Sequence, residues 1–174
     1  MAFISFIWSI VCLTILFLYK KNFKFDFLAE DSAIIGLFYG VVAILTGSIW
    51  AKATWGLYWH WDPRETATLI LELAYVGYIV LRRSIVSIEK KAFVSGIYNV
   101  LSFITVPLSY FSVKIWTSIH PIVFTPKPQL RIEFSMIQAL ILSLVAGTAV
   151  YIYLMRQLYM VEKLGRALEK LEAS

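Results

Sequence analysis

The stretch from Trp50 to Thr66, W-A-K-A-T-W-G-L-Y-W-H-W-D-P-R-E-T, concentrates the side chains here that can do chemistry. Four of the six tryptophans, Trp50, Trp55, Trp59 and Trp61, fall within it, with Tyr58 and His60 among them. Indole faces can carry a flat apolar ligand, and imidazole is a versatile metal ligand. The plainer reading is an aromatic belt at a membrane surface. A belt needs only scattered rings, and four indoles in twelve residues beside Asp62 and Arg64 favour a ligand platform. The second histidine, His120, follows Trp116 in a different segment. The platform ends in a helix start. Asp62 can cap the first free N–H groups, Pro63 suits the first helical position, and Glu65 can reach back to complete a capping box.

The elements that position these residues are membrane helices. The 174 residues are 60% hydrophobic and 16% charged, with a mean hydropathy of +0.75. A soluble domain usually carries about a quarter charged residues. The apolar residues come in blocks near the length of a span, without period-two alternation, which selects helices over a closed barrel. Five transmembrane helices are predicted, over about residues 3–19, 33–50, 62–81, 92–113 and 134–159. No repeat or linker divides them, so residues 1–174 read as one all-α, polytopic helical bundle. Residues 160–174 read as a cytoplasmic helical tail, with Leu164, Leu168 and Leu171 at helical spacing. The N-terminus lacks a basic n-region and a cleavage motif. A lone cysteine, Cys12, leaves no intramolecular disulfide, C-x-x-C pair or C-x-x-C-H haem attachment site, so a c-type cytochrome and a thiol oxidoreductase are excluded.

Charge sets the orientation. Lys20, Lys21, Lys24, Arg82, Arg83, Lys90, Lys91, Arg156, Lys163, Arg166 and Lys170 lie on one side, assigned to the cytoplasm. Lys52, Arg64, Lys114, Lys127 and Arg131 lie on the other, against Asp62, Glu65 and Glu133. The net charge of +5 is thus topological, with no nucleic acid implied. The tryptophan stretch and both histidines then face outward. An outer face is usually the poorer in Lys and Arg, so Lys52, Arg64 and Arg131 suggest an anionic ligand held by charge-assisted bonds. Solvated loop charge is the alternative. Flat aromatics, imidazole and cations that suit carboxylates together describe a haem site; interfacial polar residues remain the plainer account of the histidines. Glu72, inside the third span, should face the bundle or be protonated, either bonded to a neighbouring helix or on a proton path. Pro107 should kink the fourth span, and Thr46-Gly47-Ser48 should let the second pack closely.

Trp55 to Thr66 resembles the tryptophan-rich signature of the haem-handling membrane proteins of cytochrome c assembly, the CcmC, CcmF and CcsA superfamily. T-G-S-I-W-A-K (residues 46–52), L-I-L-E-L-A-Y-V-G-Y-I (69–79) and V-P-L-S-Y-F-S-V-K-I-W-T-S-I-H-P (106–121) are similar to CcmC-family segments, over about residues 1–155. The resemblance implies non-covalent haem b, an axial ligand on His120 and a platform of Trp55, Trp59, Trp61 and Trp116. Asp62 and Arg64 would shape the loop and the chaperone contact. It also implies presentation of haem, without bond-making of its own, to a CcmE-like periplasmic chaperone, beside CcmA/CcmB-like transporter subunits in the cell membrane. The family's first helix and its H-V-P ligand motif would precede Met1. Three explanations stand: a shortened chain or late start (the preferred one), a ligand from another subunit, or His60 as second ligand. W-D-P-R-E-T also resembles CcsA, a haem export and ligation protein. A b-type electron-transfer cytochrome is a second alternative, although no span contains a histidine; a haem-free structural subunit is a third.

Overall fold

The computed structural model describes residues 2–18, 24–120 and 134–172. Six helices follow one another: α1 (Ala2–Leu18), α2 (Lys24–Trp55), α3 (Pro63–Ser84), α4 (Ile88–Ser102), α5 (Thr105–Ile115) and α6 (Phe134–Glu172). No strand occurs among the described residues. Three stretches are long and apolar enough to cross a membrane, Phe25–Trp55, Ile88–Ile115 and Phe134–Gly165. The chain is a multi-pass, all-α membrane protein. Two of the five expected spans fall short of that measure. In α1 the apolar run is Phe6–Ile15, and α3 carries Arg64, Glu65, Glu72, Arg82 and Arg83.

Each boundary has a local cause. At the start of α3 the Asp62 side chain accepts from the Arg64 N–H and the Glu65 side chain accepts from the Asp62 N–H, with Pro63 leading. The expected fourth span is two helices. Pro107 offers no N–H to the Phe103 carbonyl and its ring crowds that oxygen. Phe103 O accepts from Val106 N at 3.0 Å instead. The helix breaks there and resumes at Thr105.

Helix α2 runs well beyond the expected 33–50, so Asp26, Glu30 and Lys52 are helical. Asp26 and Glu30 share a face. Both turn to Arg82, which the sequence places only among the cations joining the third and fourth spans. Arg82 is fully buried. Its two terminal nitrogens meet Asp26 at 2.8 and 2.6 Å, and Nε lies 2.6 Å from Glu30. It also donates to Ser95 Oγ on α4 at 3.0 Å. One guanidinium therefore ties α2, α3 and α4 together. Nearby, Asn99 of α4 donates to Ser9 Oγ of α1 at 2.6 Å, and Ser9 donates to Ala29 O of α2 at 2.9 Å.

The core above this cluster holds Phe6, Ala33, Leu71, Tyr75, Tyr78 and Val106. Phe6 stacks on Tyr75 with centroids 3.6 Å apart. Close packing of α2 does not occur at Gly47, as expected, but at Gly40, where a Cβ would overlap the Glu72 carboxyl of α3. A Cβ at Gly47 meets nothing within 4 Å. Helix α6 joins α2 through Tyr39 to Gly147 O at 2.8 Å and Ser32 to Tyr151 at 3.0 Å. At 39 residues, it is about 58 Å long and outruns a hydrocarbon core of about 30 Å. Leu164, Leu168 and Leu171 of its extension are exposed. Of the cations that the charge pattern assigns to the cytoplasm, Lys20 and Lys21 lie outside the described residues.

Removing one partner of a buried ion pair leaves the other charge uncompensated, at a cost of about 3–5 kcal/mol. Arg82→Ala is expected to destabilise by that order in detergent-titrated unfolding. Replacing Arg82 and Asp26 together with apolar residues should cost much less. Equal losses in the two variants would show that the pair does not hold the helices.

Candidate functional site

The site forms where the α2–α3 loop meets the segment after α5. Helix α2 ends at Trp55, and Gly56 at φ 85 turns the chain. Its N–H donates to Lys52 O at 3.1 Å, and Lys52 Nζ donates back to Gly56 O at 2.7 Å. The Lys52 ammonium also lies 5.4 Å from the Tyr58 ring, so it closes the turn.

Glu65 holds the next three residues. One of its oxygens, Oε2, accepts from His60 N at 2.8 Å and Asp62 N at 3.4 Å. Trp61, between those two amides, sits at φ 56, the left-handed region that a bulky residue enters at about 1–3 kcal/mol. Its indole is 69% exposed and meets Trp59 edge-on at 5.7 Å.

Asp62 does more than cap α3. Oδ2 accepts from Arg64 N at 3.1 Å, Ser118 Oγ at 2.7 Å and His120 Nδ1 at 2.8 Å. Oδ1 accepts from Ile119 N at 2.8 Å. Ser118 Oγ in turn accepts from His120 N at 3.1 Å. A carboxylate can only accept, so the Nδ1 that faces it carries the proton. The Nε2 lone pair of a neutral His120 is then left for a ligand. This is the arrangement in which carboxylates orient metal-binding imidazoles.

Trp55 lies between the two histidines. Its ring is 4.8 Å from His120 and 5.9 Å from His60, edge-on to each, and 4.9 Å from Trp50. Trp59, Arg64 and His120 line a cavity of about 560 Å³ whose far end is Glu72. Cofactor pockets generally fall between about 300 and 1,000 Å³. Among the described residues, buried Trp59 Nε1, His60 Nδ1 and both Glu72 oxygens have no hydrogen-bond partner. Glu72 thus faces the bundle, as expected, without the expected bond to a neighbouring helix. Trp116, expected in the platform, is the C-cap of α5, half exposed, and lines no part of the cavity. Trp55, His60 and Trp61 line none of it either. Arg131, Lys127 and Glu133 lie outside the described residues.

The sequence model of the Heme exporter protein C family, CcmC, matches residues 1–173. The chain belongs to the CcmC family. It is 34% identical over 116 residues to Heme exporter protein C of Bradyrhizobium diazoefficiens, 66% of this chain and 44% of that protein. It is 33% identical over 135 residues to that of Haemophilus influenzae, 76% of this chain and 54% of the relative. A putative cytochrome c biosynthesis ccmC-like mitochondrial protein of Marchantia polymorpha is 33% identical over 107 residues, 62% and 44%. The chain spans about half the length of the curated relatives it matches.

Several residues in this CcmC-family site escaped the sequence reading in their present roles. Asp62 was legible as a cap but not as the acceptor for Ser118, Ile119 and His120. Ser118, two residues before the histidine, carried no signal alone. Tyr58, from the loop after Gly56, and Ser48, from α2, also join the cavity wall. Thr68 and Ser109, 3.1 Å apart, fix α3 to α5 directly below the site.

Burial disfavours the Asp62 carboxylate, but bonds from Ser118, Ile119, Arg64 and His120 outweigh it and hold its pKa below the usual aspartate value. A group with a lowered folded pKa stabilises above its unfolded pKa, about 3.9 for aspartate, and loses that contribution as pH falls through the folded value. The joined loops are therefore expected to persist down to the ordinary aspartate range and open only below it. Tryptophan fluorescence during acid titration measures this. A midpoint above the ordinary value, or the same transition in Asp62→Asn, contradicts the assignment.

Proposed function

We propose that this chain holds haem at the outer face of a cell membrane and presents it to a periplasmic haem chaperone during cytochrome c assembly. The observation that carries the reading is the Asp62–His120 pair, 2.8 Å between Oδ2 and Nδ1. It fixes the tautomer and rotation of the one imidazole that borders the cavity. The unpartnered Trp59 nitrogen and Arg64, both in the cavity wall, suit a flat macrocycle with anionic side groups. Haem is the cargo here, and b-type haem held without a covalent bond fits a protein that passes it on.

In this reading His120 Nε2 supplies one axial ligand, with Asp62 as its positioning residue. Trp55 limits the imidazole's rotation through edge-on contact. Arg64, exposed and at the cavity, takes a propionate by charge-assisted bonds. Glu65 holds the backbone on both sides of Trp61. His60 stands across Trp55 from His120 and is the first candidate for a second ligand within this chain. The relatives' printed name, Heme exporter protein C, supports a transport or haem-handling component rather than an enzyme. A CcmE-like chaperone and CcmA/CcmB-like subunits are the partners this role requires. The platform then faces the periplasm and the α6 extension the cytoplasm.

Two variants test the ligand. His120→Ala is expected to lower haem occupancy more than His60→Ala, read from the Soret band of the purified protein. Asp62→Asn, which can turn an amide N–H toward Nδ1 and favour the wrong tautomer, is expected to lower haem affinity by about 10- to 100-fold, the usual weight of a residue that orients a metal ligand. Unchanged spectra in His120→Ala would remove the ligand assignment.

A further inference from the structure

The 560 Å³ cavity reaches further than a surface platform requires. Arg64 and His120 stand at one end, Glu72 at the other. From Arg64 to Glu72, α3 rises about 12 Å. One wall is the small-residue side of α2, Gly40, Ala43 and Gly47, and Met136 of α6 faces it. The hydrogen bonds described between α2 and α6 lie on the inner half, at Ser32–Tyr151 and Tyr39–Gly147. Outward of them, Leu45 and Ile49 of α2 and Leu140 and Leu144 of α6 are exposed. Glu72 is 5% exposed and both its oxygens are unpartnered.

We propose that this chamber takes the apolar body of a porphyrin directly from the bilayer, between the outer halves of α2 and α6, and that Arg64 and Glu72 set its direction. This rests on the haem reading above and adds the route and the orientation. The exposed Leu45, Ile49, Leu140 and Leu144 give that route an apolar approach for a ligand dissolved in lipid. Gly47 leaves the space that a ring edge needs. Carboxylates are held at Arg64 and rejected at Glu72, where two carboxyl groups would have to share one site. The ring therefore lies with its apolar edge inward and its anionic edge at the platform.

The probe is metal-free protoporphyrin, whose fluorescence reports binding without an axial ligand, offered to the full chain in phosphatidylcholine nanodiscs. Gly47→Phe, whose side chain grows into open space, is expected to weaken binding by about tenfold or more. Leu164→Ala, on the exposed α6 extension, should stay near the starting value. Lipids brominated on their chains should quench the bound porphyrin more than aqueous iodide does. Gly47→Leu and a circular-dichroism check of helix content guard against a misfolded variant.

Unchanged porphyrin binding in Gly47→Phe and Gly47→Leu, or quenching by iodide alone, would overturn the chamber. A haem Soret band with imidazole ligation would then still leave the outer-face reading intact. Porphyrin binding that depends on Gly47, with no change in haem spectrum for His120→Ala, would keep the chamber and remove the ligand assignment.

Discussion

The candidate site depends on one carboxylate. Asp62 begins α3 by capping it and, through the same two oxygens, gathers Ser118, Ile119 and His120 from a segment more than fifty residues away. Charge-assisted bonds of this kind contribute about 1.5–3 kcal/mol each. Neutralising Asp62 would weaken all of them together, because all end on its two oxygens. Helix start and imidazole position are thus one structural event. A change that disturbed the beginning of α3 would also misplace His120.

The fold treats its buried charges differently at its two ends. At the other end of the bundle Arg82 bonds Asp26 and Ser95 and pairs with Glu30. That cluster adds little net stability against an apolar core, but it admits few alternative registers of α2, α3 and α4. Nearer the site, Glu72 has no such partner and borders open space. Rigidity at the Arg82 end is what makes an unpartnered carboxyl tolerable nearer the site. The helices cannot slide together to cover it, and Gly40 leaves it room beside α2.

Much of this was readable in the sequence where a local rule sufficed. The α3 cap, the break caused by Pro107 and the apolar helices follow from neighbours within a few residues. So does the gathering of indoles between Trp50 and Trp61. The sequence misled where long-range contact decides. Arg82 looks like a loop cation because Asp26 and Glu30 are far away in the chain. Thr46-Gly47-Ser48 looks like a packing motif, yet its glycine borders a cavity and the hydroxyls bond back to Val42, Ala43 and Leu45 of their own helix. His120 could be proposed as a ligand by resemblance. Its orientation required Asp62 to be seen beside it.

Trp61 is where the remaining free energy is stored. Its neighbours' amides are both fixed by Glu65, so residue 61 itself must absorb the turn and take a left-handed conformation. Thr66 Oγ1 donating to its carbonyl at 3.3 Å adds a third restraint. An aromatic residue in that conformation persists only because its surroundings over-determine it. The result separates two indoles that are two positions apart. Trp59 is turned to the cavity, and Trp61 is pushed into the open, with Trp59 edge-on to it. A glycine would adopt the same backbone at less cost but would carry no ring. The strain is therefore consistent with a requirement for an aromatic surface at that point of the outer face, apart from whatever occupies the cavity.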